Sequence, residues 1–598
     1  MGISSLSSRS GQSSLGLSGQ GSLGLSGQGN LGSLGLSSQS GQGSLGLSGQ
    51  GNQGSLDLSG QGNQGSLNGQ NRPGSRGRLL ISGTHSGCGK TTVTCAILAA
   101  LQARGIQPTA FKSGPDYIDP MFHRAISGMK AYNLDPFFLD GDGLRGHMAA
   151  SAGRFSLIEG AMGYYDGIAA TDEASAYTVA RQTQTPVILV VGARGAGYSL
   201  AAMIEGFMRH RLDSNIKGVV FNDAGEGRYP DLAHIAEEAG LQAYGVMPFN
   251  EAWRLPSRHL GLMAAAEIED LYHKLKLLGA QAEQSIDMDG LIVLAGTAPA
   301  LSRSIPRDVQ HAAGRVGAAG AMGPAGREYS DAGADGPGSE VCAPGEVDAG
   351  GFVGKAVAVG TASSVNVPDE AGGAGPAIAA GTSGTVSEAG LAGMPRIRLA
   401  VARDKAFCFL YEENLELLQL FGCELVFFSP LHDGALPEKI NGLYLCGGYP
   451  ELYRKELADN KPMREGIKRA VENGLPSIAE CGGFLYLHAS LDGFPMCGVI
   501  HGAAFETKGL RRFGYITLTA GRQNLLCEAG GSIRAHEFHY WDSDCPGDGF
   551  TARKAGRDIA YPCVHATDSL YAGFPHLYFP ANPKFAANFV ERMAQYQR

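Results

Sequence analysis

The stretch LLISGTHSGCGKTT, residues 79–92, decides the fold of the first half of the chain. An apolar strand at 79–82 runs into a glycine-rich loop, and a helix with an apolar face follows Lys90 directly. Loop N–H groups of this kind close around phosphates, the lysine reaches the terminal phosphates, and the next hydroxyl can hold Mg²⁺. The pattern predicts an ATP site built from the following residues: Gly87, Gly89, Lys90, Thr91 and Thr92.

Two positions of this loop depart from common patterns. Thr84 stands where the first glycine is usual, with Gly83 just before it. His85 stands five residues before Lys90, where partition and septum-placing ATPases carry an additional signature lysine. The histidine argues against a partition or signalling ATPase.

Short apolar strands alternate with helical segments in two parts of the chain. In the first part, 78–298, the predicted strands are 79–82, 155–158, 187–191 and 219–221. In the second, 396–598, they are 397–402, 425–428, 443–446 and 477–480. Strand–helix alternation favours parallel sheets covered on both faces, so we predict two α/β modules. With about 200 residues each, both are large enough to bury a core.

The remaining segments hold much of the glycine, of which the chain has 89 residues. Residues 1–77 repeat variants of Ser-Leu-Gly-Leu-Ser-Gly-Gln-Gly-Asn, with too little apolar volume to offset the entropy of ordering. We predict a disordered tail there, with a solenoid of stacked repeats as the alternative. Residues 299–395, rich in Gly, Ala, Ser and Pro, are predicted to form a linker.

Charge and cysteine content restrict the partners. A net charge of −9 offers no basic field for nucleic acid or anionic lipid. The 11 cysteines stand singly, without a CxxC pair, which is typical of a reducing cytosol and excludes a zinc ribbon or disulfide framework. No apolar run approaches the length of a membrane span. We expect a soluble cytoplasmic protein, with a homodimer as an open alternative to a monomer.

A cluster of polar side chains follows in FKSGPDYIDP, residues 111–120. Lys112, Asp116, Tyr117 and Asp119 lie just after a strand, at the rim of a parallel sheet where ligands bind. Together they offer a phosphate donor and acceptors for a metal or substrate. A turn or a helix cap is the alternative for a single acid in this position.

Two later strands of the first module also end in polar side chains. Glu159 ends the strand at 155–158, which suits a Mg²⁺ ligand or a residue that orients water, with an N-cap as the alternative. Asn222 ends the strand at 219–221, and its amide could recognise the adenine edge or form a turn.

These motifs, in this order, resemble the cobyrinate a,c-diamide synthases. The matching segments are the Ser-Gly-x-Gly-Lys-Thr loop, Gly-Pro-Asp-Tyr-Ile-Asp-Pro and Glu-Gly-x-Met-Gly-x-Tyr-Asp-Gly. Members of this family are ATP-dependent amidotransferases of corrin biosynthesis whose ATPase half is similar to dethiobiotin synthetase. The resemblance implies roles in metal binding, substrate binding or activation for the matching carboxylates: Asp116, Asp119, Glu159 and Asp166. It also makes Lys112 a phosphate contact.

The second module contains a cysteine on a predicted sharp turn, in PSIAECGGFLYL, residues 476–487. Glycines after Cys481 permit the strained turn that exposes a nucleophile, and the N–H of Gly482 becomes available to an oxyanion. Gly448, after the strand at 443–446, is suited to supply a second N–H. Since a free thiol is mostly protonated at neutral pH, a base is required, and His576 is the candidate.

The segments that contain Gly448, Cys481 and His576, in this order, resemble a class I glutamine amidotransferase domain. This resemblance implies a flavodoxin-like fold for 396–598. Many such domains follow the catalytic histidine with Pro-Glu to complete a triad, whereas Leu577 and Tyr578 follow here. The corrin subgroup is known for a shortened Cys–His pair, which fits this departure. No third orienting group can be named from the sequence.

A second histidine pair, His536 and His539 in RAHEFHY, suggests metal binding at first sight. No cysteine or third ligand has a useful spacing, which argues against a metal. A structural or substrate-facing role near the module interface is favoured.

The resemblance implies ATP- and glutamine-dependent amidation of the a and c acetates of cobyrinate through acyl phosphates, with Mg²⁺. The implied partners are a cobyrinate-type corrinoid, L-glutamine and ATP. Three alternatives stay open: the same reaction on hydrogenobyrinate or a nickel tetrapyrrole, cobyric acid synthase activity, and a nucleotide-switch scaffold with an inactive glutaminase. The intact pair of Cys481 and His576 argues against the scaffold.

Overall fold

The computed structural model describes residues 77–128, 130–255, 271–301, 307–321 and 397–596. The predicted disordered tail at 1–77 lies almost entirely outside these residues, as does most of the predicted linker at 299–395. Both stay predictions. The two predicted α/β modules are present within one compact unit and are called the first module, 77–301, and the second module, 397–596.

The first module is a seven-stranded parallel sheet in the order β3-β2-β4-β1-β5-β6-β7, flanked by helices. Its strands are β1 (Gly77–Gly83), β2 (Pro108–Ser113), β3 (Ala131–Leu134), β4 (Phe155–Glu159), β5 (Val187–Gly192), β6 (Ile216–Asn222) and β7 (Gln242–Met247). Its helices are α1 (Lys90–Ala103), α2 (Ile118–Ser127), α3 (Gly141–Ser151), α4 (Ala176–Thr183), α5 (Ser199–His210), α6 (Tyr229–Glu238), α7 (Leu271–Ser285) and α8 (Met288–Ala295).

Burial of apolar side chains explains why the first module forms a parallel sheet between helices. Every residue of β1 is buried, as expected of a central parallel strand covered on both faces. The apolar face predicted for α1 is buried as well, including Val93, Ile97 and Leu101. The polar ends of β2, β4 and β6 therefore meet the phosphate loop at the carboxyl edge of one sheet.

The second module has a six-stranded sheet in the order β10-β8-β11-β13-β23-β22, parallel except for its last strand. These strands are β8 (Ile397–Ala402), β10 (Cys423–Phe428), β11 (Gly442–Leu445), β13 (Ser477–Glu480), β22 (His565–Ala566) and β23 (Leu570–Gly573). Its helices are α10 (Glu412–Leu420), α11 (Arg454–Asp459), α12 (Lys461–Glu472), α13 (Gly482–Leu487) and α14 (Pro583–Gln595).

Three smaller sheets complete the second module, and the sequence analysis did not predict them. The largest has the order β21-β20-β17-β18-β24 and is antiparallel. The strands of the three sheets are β9 (Phe407–Phe409), β12 (Gly447–Gly448), β14 (His488–Leu491), β15 (Phe494–Pro495), β16 (Ile500–Glu506), β17 (Arg512–Ala520), β18 (Ser532–His539), β19 (Trp541–Ser543), β20 (Phe550–Lys554), β21 (Ala560–Cys563) and β24 (His576–Leu577). Strand β24 brings His576 beside His536 of β18.

A helix, α9 (Arg307–Ala321), lies inside the predicted linker, where the sequence analysis expected no regular structure. It packs against α14 at the C-terminus, with Ala312 buried and Arg315 bonded to Glu591 at 3.1 Å. The contact with α14 compensates for the weak helix propensity of its glycines.

The modules share a buried interface. Helix α10 covers the edge strand β3, and its carboxylates face basic side chains of the first module, including Glu412 with Lys130 at 2.8 Å. Tyr411 and Phe409 of the second module join the hydrophobic core of the first. The interface thereby covers an edge whose backbone groups would otherwise be unpaired.

Candidate active sites

The phosphate loop runs from the end of β1 into α1, as predicted. Gly87 and Gly89 have left-handed φ values of 84° and 100°, which side chains rarely adopt. Lys90 is buried and donates to the carbonyl oxygen of His85 at 3.0 Å, so the loop curls around its ammonium group. Burial lowers the pKa of Lys90. This conformation fits the predicted phosphate cradle, and its contact with ATP stays a prediction.

Asn222, at the end of β6, lies against this loop. A Cβ added to Gly89 would come within 2.1 Å of the Asn222 side-chain nitrogen, so position 89 has no room for a side chain. The amide is thus beside the start of α1, whereas its recognition of adenine stays a prediction. Thr92 occupies the first turn of α1, and its ATP contact stays a prediction as well.

Glu159 lies at the centre of a buried polar network next to the loop. Its Oε1 accepts hydrogen bonds from Thr91 Oγ1 at 2.7 Å and from Lys112 Nζ at 3.0 Å. Its Oε2 lies 2.7 Å from His123 Nε2. Burial alone would raise the pKa of Glu159, but Lys112 and His123 lower it overall, so the carboxylate is ionised.

The oxygens of this network fit a magnesium ion. A threonine hydroxyl and an ionised carboxylate are hard ligands of the type that Mg²⁺ takes together with phosphate oxygens and water. Thr91 and Glu159 are in direct contact beside the loop. Thr91 and Glu159, two of the three predicted Mg²⁺ ligands with Asp116, are therefore in contact, and the metal role of all three stays a prediction.

Lys112 connects this network to the next predicted cluster. Its Nζ lies 2.6 Å from Asp119 Oδ2, and both side chains are buried. Removing either Asp119 or Glu159 would leave the buried charge of Lys112 with one carboxylate fewer. Breaking a buried ion pair in this way lowers the free energy of unfolding by about 3 to 5 kcal/mol in comparable cases. His123, which the sequence analysis missed, lies on α2, and its spacing from Glu159 along the chain carried no signal.

The other carboxylates of the first module have local partners. Asp116 Oδ1 accepts from the backbone N–H of Ile118, two residues on, at 2.8 Å, which is the turn that was the alternative for this acid. Asp166 Oδ2 accepts from the N–H of Gly163 at 2.7 Å, and its charge favours the protonated form of Lys90. Their roles toward metal or substrate stay predictions.

Cys481 stands on the sharp turn that the sequence predicted, between β13 and α13. Its φ and ψ are 45° and −100°, a strained conformation for a residue with a side chain. Gly483 permits the turn, since a Cβ there would lie 2.2 Å from the carbonyl oxygen of Leu445. Strain at an element boundary in the centre of a sheet is characteristic of a nucleophile turn.

The two predicted oxyanion residues are adjacent. A Cβ on Gly482 would lie 2.9 Å from the backbone nitrogen of Gly448. Gly448 has a φ of 155°, and a Cβ there would lie 2.1 Å from the carbonyl oxygen of Ala406. The structure thus brings Gly448 next to Gly482, the residue after Cys481, and the oxyanion role of both residues stays a prediction.

His576 lies beside Cys481, as its proposed role as base requires. The ring is buried, which by itself lowers its pKa, but the hydrogen-bonded thiol of Cys481 and the carboxylate of Glu480 raise the pKa to about 9. Glu480, the residue before Cys481, is a neighbour of His576 that the sequence did not indicate. A high pKa favours a thiolate–imidazolium pair.

Aromatic rings join the two sites. Tyr117 of the first module stacks on Phe409 at 5.0 Å and lies 5.2 Å from the His576 ring, between ring centroids. His536 stacks on His576 at 5.0 Å and bonds to Tyr411 through Nδ1 at 3.2 Å. Burial and the neighbouring His576 hold the pKa of His536 well below its usual value. These contacts fit the predicted interface role of His536.

His539 is a structural residue. Its Nδ1 lies 2.6 Å from the carbonyl oxygen of Trp541, and its ring stacks on Phe574 at 3.8 Å. In the described ranges no group of three or more His, Cys, Asp or Glu side chains is arranged to hold a metal.

Comparison with known proteins agrees with this geometry. Residues 79–262 match the family described as the CobQ/CobB/MinD/ParA nucleotide binding domain, and residues 398–581 match the CobB/CobQ-like glutamine amidotransferase domain. The cobyrinate a,c-diamide synthase of Clostridium acetobutylicum is 31% identical over 519 residues, covering 86% of this chain and 99% of that protein. The chain belongs to the cobyrinate a,c-diamide synthase family.

Other relatives support the same family. The cobyrinate a,c-diamide synthase of Caldanaerobacter subterraneus is 30% identical over 531 residues, covering 87% of this chain and 99% of that protein. Among solved structures, PurLQS from Thermotoga maritima matches at 15% identity and a TM-score of 0.26, covering 33% of this chain and 97% of that chain. A likeness that low has no bearing on the assignment.

Membership of the cobyrinate a,c-diamide synthase family confirms the predicted class, a glutamine-hydrolysing ligase with a nucleotide-binding domain and a glutamine amidotransferase domain. It also confirms the predicted combination of folds. Within the described ranges, every helix is too short or too polar to traverse a lipid bilayer.

Proposed function

We propose that this chain amidates the a and c acetate groups of cobyrinate in cobalamin biosynthesis, using glutamine as the nitrogen source and ATP to activate each carboxylate. The relatives named cobyrinate a,c-diamide synthase support this substrate. One observation carries the proposal: the ring of Tyr117 contacts His576 at the cysteine site, while Asp119, two residues on, binds Lys112 in the phosphate-loop network.

At the glutaminase site, the thiolate of Cys481 attacks the side-chain amide of glutamine. The peptide N–H groups of Gly482 and Gly448 then receive the negative charge that develops on the amide oxygen. His576 gives a proton to the departing nitrogen, so that ammonia leaves and a thioester remains. Water then hydrolyses the thioester, with His576 taking a proton, and releases glutamate.

At the synthetase site, an acetate oxygen of the macrocycle attacks the terminal phosphorus of ATP, ADP leaves, and an acyl phosphate forms. Lys90 neutralises charge on the transferred phosphate, and Lys112, which is paired with Asp119 and Glu159, contributes a second positive charge. When bound through Thr91 and Glu159, Mg²⁺ would neutralise further phosphate charge. Ammonia then attacks the acyl phosphate, phosphate leaves, and the amide results.

We also propose that the reaction takes place in the cytoplasm, where ATP and glutamine are made and consumed. The thiols agree with a reducing compartment, since the cysteines in the described ranges are unbridged. A homodimer stays a prediction.

One assay tests the substrate. The full chain is incubated with ATP, Mg²⁺, glutamine and, separately, cobyrinate, hydrogenobyrinate and a nickel tetrapyrrole carrying acetate side chains, and amidations are counted by mass spectrometry. Two amidations of cobyrinate support the proposal. More than two would indicate cobyric acid synthase activity, and amidation of another macrocycle alone would assign that substrate. If no amidated product forms, the result would favour the nucleotide-switch scaffold with an inactive glutaminase.

A further inference from the structure

We propose that Glu480 is the positioning carboxylate of the glutaminase site, so that the acid missing after His576 is supplied by the residue that precedes the nucleophile. This inference rests on the proposed glutaminase function of Cys481 and His576. It deepens that function by giving the base a third partner, one contributed by strand β13 instead of the segment that carries the histidine.

The position of Glu480 in the sheet makes the contact possible. Glu480 is the last residue of β13, and the strained turn at Cys481 begins immediately after it. Its Oε2 lies 3.8 Å from His576 Nδ1, with both side chains no more than 2% exposed. The two groups therefore face each other with no room for bulk solvent.

The imidazole nitrogen that faces this carboxylate is available for a hydrogen bond. Within the described ranges, His576 Nδ1 has no hydrogen-bond partner. At 3.8 Å the interaction is a charge contact, longer than a hydrogen bond. Catalytic hydrogen bonds are often long before substrate binds and shorten in the reacting complex, so a small movement would close this one.

Two further bonds hold the carboxylate in place. Oε1 accepts from the backbone N–H of Leu577 at 3.0 Å, and Oε2 accepts from the hydroxyl of Tyr444 at 3.1 Å. Because Leu577 directly follows His576, the first bond ties Glu480 to the backbone that carries the imidazole. The carboxylate and the ring are thus positioned as one unit.

Several other titratable side chains surround His576, and none takes the place of Glu480. His536 stacks on the ring and is neutral, since burial and His576 lower its pKa. Glu537 is bonded to the hydroxyl of Tyr561. The groups that face His576 are Cys481 and Glu480 of the nucleophile segment, His536, Glu537 and His539 of β18, and Tyr117, while Tyr444 of β11 is bonded to Glu480.

A carboxylate at Nδ1 has a defined chemical effect. It keeps the proton on Nδ1, which leaves the other ring nitrogen to exchange a proton with the thiol, and it stabilises the imidazolium formed when Cys481 ionises. The direction of the pKa shift agrees with the second effect: burial alone would lower the pKa of His576, but Cys481 and Glu480 raise it to about 9.

The test uses Glu480→Gln in the full chain. Glutamine hydrolysis should fall about 10- to 100-fold in kcat with a small change in KM, because the base is misoriented but the substrate pocket is intact. Loss of the negative charge should also move the alkaline limb of the pH profile down by about one unit. Amidation supported by free ammonium should stay near the wild-type rate.

Tyr444→Phe is the matched control, since it removes a donor to the same carboxylate but keeps the charge. Its alkaline limb should stay in place. Unchanged kcat and pH profile in Glu480→Gln would overturn the proposal. Loss of the ammonium-supported activity as well would assign Glu480 to the fold and equally overturn it. If the wild-type chain itself hydrolyses no glutamine, the proposed function fails, which is a distinguishable result.

Discussion

The ring of Tyr117 lies 5.2 Å from the ring of His576, between centroids, although 458 residues lie between them in the chain. Tyr117 belongs to the segment predicted to handle the activated substrate, and His576 to the glutaminase pair. Asp119, two positions after Tyr117, contacts Lys112 at 2.6 Å, and Lys112 contacts Glu159 beside the phosphate loop. A short buried path thus joins the two candidate sites.

Replacing the ring of Tyr117 should uncouple glutamine hydrolysis from amidation. Tyr117→Ala removes the buried ring between His576 and the Lys112 network, so ammonia should escape before it reaches the acyl phosphate. The measured ratio of glutamate formed to amide formed should rise above one, whereas Tyr117→Phe, which keeps the ring, should stay near one. An unchanged ratio in the alanine variant would rule out a role of the Tyr117 ring in retaining ammonia.

Cys481→Ala should separate the two nitrogen sources. Glutamine-dependent amidation should fall below about 1% of wild type, because no other nucleophile stands on the turn. Ammonium-dependent amidation should persist, since the phosphate loop lies in the other module. Product formation is measured with each source, and Cys545→Ala, a half-buried thiol outside the site, serves as the control. Loss of both activities in a folded variant would contradict this division of labour.

Lys90→Ala should stop amidation from either source. The buried ammonium group is the donor that the loop holds for phosphate, and its loss should lower turnover by about 100- to 1,000-fold. Glutamine hydrolysis without amidation is the activity expected to survive. Lys217→Ala, an exposed lysine of β6, is the control. Ammonium-dependent product from Lys90→Ala in the absence of ATP would disprove activation through an acyl phosphate.

Asp135 predicts a pH dependence of stability. It is buried at the interface, accepting from Tyr515 of the second module at 2.8 Å, and burial raises its pKa from 3.8 to about 7 despite these bonds. Because the folded-state pKa is the higher one, ionisation opposes folding, and stability falls as pH rises from about 4 to 7 and then levels off. Asp135→Asn removes this loss.

Urea unfolding of both proteins at pH 5 and pH 8 gives their free energies of unfolding. The free energy of unfolding of Asp135→Asn minus that of wild type should be larger at pH 8 than at pH 5 by about 2 to 3 kcal/mol. A constant difference would mean that Asp135 does not titrate in this range in the folded protein.

The sequence predicted the parts of both sites that depend on neighbours along the chain. Gly89, Lys90 and Thr91 form a phosphate loop because left-handed glycines, a lysine and a hydroxyl must follow one another to surround a phosphate. Cys481 and Gly482 form a nucleophile turn for a similar local reason, since glycines next to the cysteine permit the strain. The buried strands that carry them were recognisable from their apolar runs.

Tertiary structure alone decided which distant side chains meet. Glu480 and His123 carry no local signal, since a glutamate before a cysteine and a histidine in a helix are ordinary residues until the sheet order brings them to His576 and Glu159. The antiparallel sheet around β18 and the contact of α9 with α14 were likewise not predicted. Strand pairing and helix packing depend on how whole surfaces fit together, which no short segment specifies. Once such side chains are buried together, they must pair with each other because water is excluded, and their pKa values shift.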